Sequence, residues 1–442
     1  MTKVCVIGLW HLGAVASTCL AELGYQVVGV ERDPSKAANL NRGIPPLFEP
    51  GLGELMVKHL ASGRLRFTSD LADGTAAAPY VIIAYDTPVD DQDDPDLAPI
   101  IAAVEDLAGH LEDGATIIVS SQVPVGTCEA LADRLRALAP GLRFGMACVP
   151  ENLRLGQAIE RFLRPDLLVL GADNAQTMAK VEALFSPVPG PRVRVDLRTA
   201  EMTKHAINAY LATCISLGNE LANLCDEVGA DALRVAEALR LESRVSPKAP
   251  LLPGLGFAGG TLARDMKVLT SLAEQYHYPA PFLNGILALN RLQNATVVLR
   301  LEKLLGSLRG KTVGVLGLTY KPGTSTLRRS AAVEIIRNIV AKGATVRAYD
   351  PKADPAEIAP FRREFTVCDD PYAVAHGAHA IVLVTPWPEF KELDFSRLRT
   401  SMHSPVFLDT ANILDPDQVT QAGFLYQGIG RGSAPRAAAI SP

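Results

Sequence analysis

At 442 residues the chain exceeds the roughly 250–300 residues at which single hydrophobic cores stop growing, so two or three domains are expected. Hydrophobic residues make up 48% and charged residues 21%, an ordinary balance for a soluble globular protein, and a formal net charge of −5 is small for this length. Bulk-charge recruitment of nucleic acid or of a membrane surface is thereby excluded, and the 43 lysines and arginines are not gathered into runs. No apolar run reaches the ~20 residues needed to span a bilayer. The seven cysteines are scattered with no CxxC pair, so neither disulfides nor a metal site is expected. Met1-Thr2-Lys3 runs straight into Val4-Cys5-Val6-Ile7-Gly8 without the features of a signal peptide, and a cytoplasmic protein is expected.

In chain order, the first pattern is a strand at 4–7, a turn from Gly8 to Gly13, a helix to about Leu23, Gly24 as its cap, and a strand at 26–30 ending on Glu31. Further buried strands are expected at 80–84, 116–120 and 167–170. From 199 to 305 helical periodicity dominates, notably over 200–228 and 281–305. A helix as long as the first of these suits both a domain spine and a dimer contact. The opening grammar then returns: a strand at 312–316, the turn Gly317-Leu318-Thr319, a helix at 331–341, Gly343 as its cap, and a strand at 345–349 ending on Asp350. Strands at 380–384 and 406–408 follow. The expectation is an α/β protein with two Rossmann-like doubly wound parallel-sheet domains, at 1–198 and 306–430, joined by a helical connector and dimerisation domain at 199–305. Residues 431–442, rich in Gly, Ala, Ser and Pro, are expected to form a disordered tail.

A glycine-rich turn between a strand and a helix lets backbone N–H groups approach a pyrophosphate at the positive end of the helix. Gly8 and Gly13 supply two of the usual three glycines, but the middle position is Trp10, a bulky indole where backbone normally comes closest to phosphate. Glu31 is placed to accept hydrogen bonds from ribose hydroxyls and to repel a 2′-phosphate, which favours NAD over NADP; Arg32 beside it acts the other way. Taken alone, the turn leaves open a strand–helix connection that binds nothing.

Several short runs stand further along: Phe48-Glu49-Pro50-Gly51-Leu52, Thr87-Pro88, Val123-Pro124-Val125-Gly126-Thr127, Pro150-Glu151-Asn152-Leu153, Glu201-Met202-Thr203-Lys204 with Asn208, Asn219-Glu220, Gly256-Phe257-Ala258-Gly259-Gly260 with Asp265, and Gly317-Leu318-Thr319-Tyr320-Lys321. By these runs the chain, from Lys3 to about Gly430, resembles the UDP-glucose/GDP-mannose/UDP-N-acetylhexosamine dehydrogenase family. The resemblance implies oxidation of the C6 primary alcohol of a nucleoside-diphosphate sugar, twice, with NAD as hydride acceptor and a uronic acid as product. It implies that Lys204 and Asn208, an i, i+4 pair, hold the oxyanion at C6, that Asp265 and Thr87 position a water, and that Glu151 is a base or orienter beside the reacting carbon. It implies cofactor contacts at Gly8, Trp10, His11, Leu12, Gly13, Glu31, Arg32, Thr87, Ser121, Glu151, Arg264 and Arg328. Substrate contacts are implied at Leu153, Lys204, Asn208, Arg244, Leu251, Gly256, Phe257, Gly260, Tyr320 and Lys321. In relatives the residue matching Arg244 reaches across a dimer, which implies a homodimer.

The chain also departs from the family. The family's second oxidation proceeds through a cysteine thiohemiacetal and thioester, and the gap-free run from Gly256 to Asp265 places Thr261 where that cysteine falls. A hydroxyl forms little anion at neutral pH, so thioester chemistry is excluded at this position. The Lys-Ser-Thr before Val-Pro-Val reads Ser120-Ser121-Gln122, a second glutamate reads Leu155, paired aspartates read Ser325-Thr326, and a substrate-contacting arginine reads Ala411. Three readings stay open: a dehydrogenase that stops after one hydride or hydrates its aldehyde without covalent catalysis, a dehydrogenase of an atypical nucleoside or non-sugar alcohol, and a catalytically silent NAD- and nucleotide-binding protein.

Overall fold

The computed structural model describes residues 1–87, 95–258 and 260–432; Pro88, Gly259 and residues 433–442 of the expected tail lie outside the described residues. The chain divides into two compact units, Met1–Ile207 and Asn208–Pro442, each built on its own sheet.

The first sheet comprises β1 (Lys3–Ile7), β2 (Gln26–Val30), β3 (Leu65–Thr68), β4 (Tyr80–Ile83), β5 (Ala115–Val119), β6 (Phe144–Cys148), β7 (Leu168–Ala172) and β8 (Arg192–Val195), in the order β3-β2-β1-β4-β5-β6-β7-β8. All neighbours are parallel except β6 and β7. Helices cover both faces, so the inner strands read as unbroken apolar runs; every residue of Ala115–Val119 is buried. The first six strands follow the dinucleotide-binding order, in which the connections from β1 and β4 leave in opposite directions and open a crevice between them. The helix α1 (His11–Glu22) packs on this sheet through small residues, among them Gly13, Ala14, Ala16 and Ala21. A Cβ at Gly13 would lie 1.8 Å from the Gly8 carbonyl oxygen, so only glycine lets α1 start this close to β1.

The 32-residue helix α2 (Leu197–Val228) contains the boundary between the units. The second unit adds the helices α3 (Leu262–Gln275) and α4 (Pro281–Leu305), then β9 (Thr312–Leu316), the helix α5 (Ala331–Ala341), β10 (Thr345–Tyr349), β11 (Thr366–Val367), β12 (Ala380–Leu383), β13 (Val406–Asp409) and β14 (Leu425–Gly428). These strands form an all-parallel sheet in the order β11-β10-β9-β12-β13-β14, the same winding as the first six strands of the other unit. One face packs against Val297, Val298 and Leu301 of α4 and Ile335, Ile336 and Ile339 of α5. The other buries Trp387, Phe390 and a group in which Phe407 meets Phe395 and Phe424 edge-on.

Both sheets follow the expected α/β architecture, and the expected strands shift by a residue or two at their ends. Five strands go beyond the expectation: β3, β6, β8, β11 and β14. They are edge strands or lack β-branched residues; β11 is two residues long, and the middle residues of β8 are exposed. Among the described residues no helix is long and apolar enough to cross a membrane, and no group of three or more His, Cys, Asp or Glu is placed to hold a metal.

Candidate active site

In the first unit the turn after β1 delivers the chain directly into α1. Trp10 sits at the N-cap without a side-chain capping bond and is 53% exposed, so its indole stands in solvent rather than in the turn. The α1 start is instead held from two sides. His11 Nε2 lies 3.0 Å from the Glu49 carboxylate, which also accepts from the N–H groups of Gly156 (2.9 Å) and Ala158 (2.8 Å). Leu12 N–H donates to Asp86 Oδ2 at 3.0 Å. Glu31, at the carboxyl end of β2, accepts from Asp33 N–H at 3.2 Å, while Arg32 forms an exposed ion pair with Asp106. The glycines, the strand–turn–helix, the acid after β2 and the crevice between β1 and β4 fit a dinucleotide; the Asp86 carboxylate at the helix start is the one misfit.

Further along this unit, Thr87 Oγ1 donates to the Gln122 carbonyl at 2.8 Å, and the buried Ser121 hydroxyl meets the Ile83 carbonyl at 3.4 Å. Lys204 is 6% exposed, so it is no solvated helix charge. Its Nζ donates to the Glu151 carbonyl (2.6 Å) and Asn152 Oδ1 (3.2 Å) and lies 3.7 Å from the Glu151 carboxylate, which also accepts from Leu153 N–H at 2.5 Å. Glu201, one turn earlier, accepts from the N–H groups of Gly126 (2.5 Å) and Cys128 (2.7 Å) at the start of the helix Thr127–Leu138. Burial pushes its carboxyl above the usual range, opposed by those two donors. The Glu201 anchor and the His205 bond to the Val123 carbonyl (2.9 Å) fix the helix that carries Lys204 to the Val123–Thr127 turn.

In the second unit a cleft of about 400 Å³ opens at the carboxyl ends of β9, β12 and β13, where the winding of that sheet reverses. Its described lining includes Gly254, Gly256, Phe257, Thr261, Tyr320, Lys321, Thr385, Thr410 and Ala411, with Lys321 the one charged side chain among them. Thr261 is exposed at the N-cap of α3 and makes no side-chain capping bond. Asp265, fully buried one turn into α3, accepts a hydrogen bond from the Asn208 side-chain amide. Burial raises the Tyr320 hydroxyl above its ordinary range.

The loop before α3 is held by side-chain amides. Asn219 accepts from Gly254 N–H (2.9 Å) and donates to the Leu255 carbonyl (2.9 Å), and Gln293 donates to the Gly254 carbonyl (2.7 Å). Asn290 takes both backbone groups of Phe257 (2.6 and 3.1 Å), and Asn294 accepts from Gly256 N–H (3.2 Å). On the cleft's other side, Asp350 Oδ2 accepts from the N–H groups of Leu318 (2.7 Å) and Thr319 (2.9 Å), from the Thr319 hydroxyl (3.0 Å) and from Trp387 Nε1 (3.1 Å). A Cβ at Gly317, where φ is +92°, would lie 2.5 Å from the Thr385 backbone nitrogen, so the turn requires glycine.

Of the expected substrate contacts, Gly256, Phe257, Tyr320 and Lys321 line this cleft, and Gly260 adjoins Thr261 on its wall. Leu251 is buried instead in a small cluster with Cys214, Ala236 and Ala249, and Leu153 packs on the first unit's core. Arg244 is exposed and paired with Glu242, Arg328 is exposed, and Arg264 is half-buried. Asp86, Glu49, Asn290, Gln293, Asn294, Asp350 and Trp387 carry structural roles that the residue reading did not assign. The amides at 290, 293 and 294, recurring at i, i+3 and i+4 on one face of a helix, are a signal that was available for α4.

Family models match nearly the whole chain: the UDP-glucose/GDP-mannose dehydrogenase family NAD binding domain over residues 2–189, the family's central domain over 198–292 and its UDP binding domain over 314–416. The UDP-glucose 6-dehydrogenase of Pseudomonas aeruginosa is 37% identical, with 97% of each chain covered. The UDP-glucose 6-dehydrogenase TuaD of Bacillus subtilis is 35% identical, covering 98% of this chain and 94% of that protein. Among solved structures, a UDP-glucose dehydrogenase from Pyrobaculum islandicum superposes with a TM-score of 0.88 at 32% identity, covering 97% of this chain and 98% of that one. With its two Rossmann-like sheets and its NAD binding domain, the chain belongs to the UDP-glucose/GDP-mannose dehydrogenase family of NAD-dependent oxidoreductases acting on CH–OH groups.

Proposed function

We propose that the chain oxidises the C6 alcohol of a nucleoside-diphosphate sugar, UDP-glucose being the first substrate to test, and releases the two-electron product. NAD, when bound at the first unit's turn, supplies the hydride acceptor. Lys204 is assigned to steady the developing alkoxide: its ammonium is buried, already ordered by Glu151 and Asn152, and needs no reorganisation to meet a negative oxygen. The Asn208 amide, tied to Asp265, is assigned the second donor, and the Asp265 carboxylate the positioning of a water that takes up the hydroxyl proton. In the second unit Lys321 is assigned to the diphosphate and Tyr320 to the nucleotide.

The observation that carries the truncated reaction is the cleft wall. Thr261 stands there, and no cysteine is among the cleft's described lining residues; all seven cysteines are buried. A threonine hydroxyl forms too little anion to capture the aldehyde. Ala411, also on the wall, supports a substrate range that differs from that of relatives with arginine there. A panel of UDP-glucose, UDP-N-acetylhexosamines and GDP-mannose, followed by NADH absorbance and product mass, tests the reading. One NADH per sugar with no uronate is expected, and Thr261→Cys is expected to raise the yield towards two. Two NADH per sugar with uronate from the unaltered protein contradicts it.

We also infer a homodimer. Tyr210, Leu217 and Leu224 recur every seven residues along α2 and are 53%, 46% and 57% exposed, an apolar stripe of the kind that pairs helices. Light scattering on Leu217→Arg, expected to be monomeric beside a dimeric parent, checks this.

A further inference from the structure

We propose that Glu49 is a positioning residue for hydride transfer: its buried carboxylate ties the start of α1, at the cofactor turn, to the loop that orders the Lys204 ammonium. This rests on the readings of the Gly8–Gly13 turn as the NAD site and of Lys204 as the partner of the developing alkoxide.

Glu49 is 3% exposed, and both of its carboxylate oxygens are engaged. Oε2 lies 3.0 Å from His11 Nε2 and accepts from Gly156 N–H at 2.9 Å, and Oε1 accepts from Ala158 N–H at 2.8 Å. These partners stand 38, 107 and 109 residues away in sequence, so the three segments meet only through the fold. His11 is the first residue of α1 and is itself buried, so the grip on it is a grip on the cofactor turn. Hydrogen bonds to a carboxylate are roughly twice as strong as neutral ones, and one side chain thereby clamps α1 to residues 156–158.

What this clamp holds is the loop beneath Lys204. Residues 149–157 form neither helix nor strand, and 154–157 are exposed. Such a segment keeps its shape through its buried side chains and the bonds at its ends. At one end the Glu151 carbonyl and Asn152 Oδ1 accept from Lys204 Nζ, Leu153 packs on the core beside them, and at the other end stand the two Glu49 bonds. The groups that order Lys204 are thus referred back to α1. A misplacement of about 1 Å between reacting groups costs on the order of 10²-fold in rate. Loss of the Glu49 bonds lets the partners of Lys204 shift against the turn while the groups assigned to the ligands remain.

Single-turnover NADH formation by the full chain tests this, with the nucleotide sugar that the parent turns over and with calorimetric titration of NAD and UDP alongside. The variants are Glu49→Gln, His11→Phe and the two combined. Glutamine puts an NH2 group where a donor already points, and phenylalanine keeps the ring while removing its bond to Glu49. The rate is expected to fall about ten- to a hundredfold in Glu49→Gln and about tenfold in His11→Phe, with NAD and UDP affinities nearly unchanged. The double variant is expected to lose no more than Glu49→Gln alone, because both changes cut one link. If Glu49→Gln does not fold, His11→Phe decides, since it leaves Glu49 its two N–H donors. A lower melting temperature with the parental rate shows a role in stability alone and overturns the proposal, as does a fall in NAD affinity as large as the fall in rate. A parent that binds NAD and oxidises none of the sugars overturns the dehydrogenase reading and this proposal together.

Discussion

The two sheets share one winding but dispose of their first turns in opposite ways. In the first unit α1 begins at His11, three residues past Gly8, and the acid after β2, Glu31, stays clear of its N–H groups, of which Leu12 N–H is met instead by Asp86, from the chain just after β4. In the second unit α5 begins only at Ala331, and the acid after β10, Asp350, folds back onto the Leu318 and Thr319 N–H groups and the Trp387 indole. The second turn has thus satisfied its own donors and cannot offer them to a pyrophosphate. What opens there is a cleft lined by side chains of the β9, β12 and β13 loops and by the amide-pinned segment before α3. Strand order alone does not specify a dinucleotide site; the fate of a few backbone N–H groups decides it.

The largest expected effect is at the buried Lys204 of the first unit. Lys204→Ala should lower kcat by about 10²- to 10³-fold with NAD affinity nearly unchanged, measured by NADH formation and by titration. The next removes the opening turn: Gly13→Ala drives a Cβ into the Gly8 carbonyl, and thermal melting should show a loss of about 3 kcal/mol together with lost NAD binding while UDP still binds. The mirror experiment on the other turn is Asp350→Ala, which strands the donors of Leu318, Thr319 and Trp387. A loss of about 2–3 kcal/mol and weakened UDP-sugar binding are expected, with NAD titration unaltered. NAD binding gained at the second turn in that variant would show that Asp350 alone separates the two turns. The smallest effect is at Asp106→Asn, which breaks an exposed ion pair with Arg32; stability should move by no more than about 0.5 kcal/mol, and any change should appear as a modest gain in NADP use by the freed guanidinium.

Much of this architecture was readable from residue patterns because buried parallel strands write themselves as short apolar runs, as in Ala115–Val119 and Thr312–Leu316. Edge strands carry no such run: Arg192–Val195 alternates arginine with valine, and Thr366–Val367 is too short to have a pattern. The turn from Gly8 to Gly13 was legible as a cofactor motif, but Trp10, whose bulk looked obstructive, stands in solvent. The misfit lies at Asp86, which reaches the turn only through the pairing of β4 with β1, a long-range fact that local spacing does not carry. The same holds for Asp350: an acid after the second strand signals ribose in one unit and closes its own turn in the other.

Each unit holds one tryptophan, Trp10 at the first turn and Trp387 on the Asp350 network of the second, so fluorescence reports on the two turns separately. In a Trp387→Phe protein, NAD should quench Trp10 and UDP should leave it unchanged. In a Trp10→Phe protein, UDP should shift Trp387 emission and NAD should not. Quenching of Trp387 by NAD, with Trp10 silent, would contradict the division of labour between the two turns.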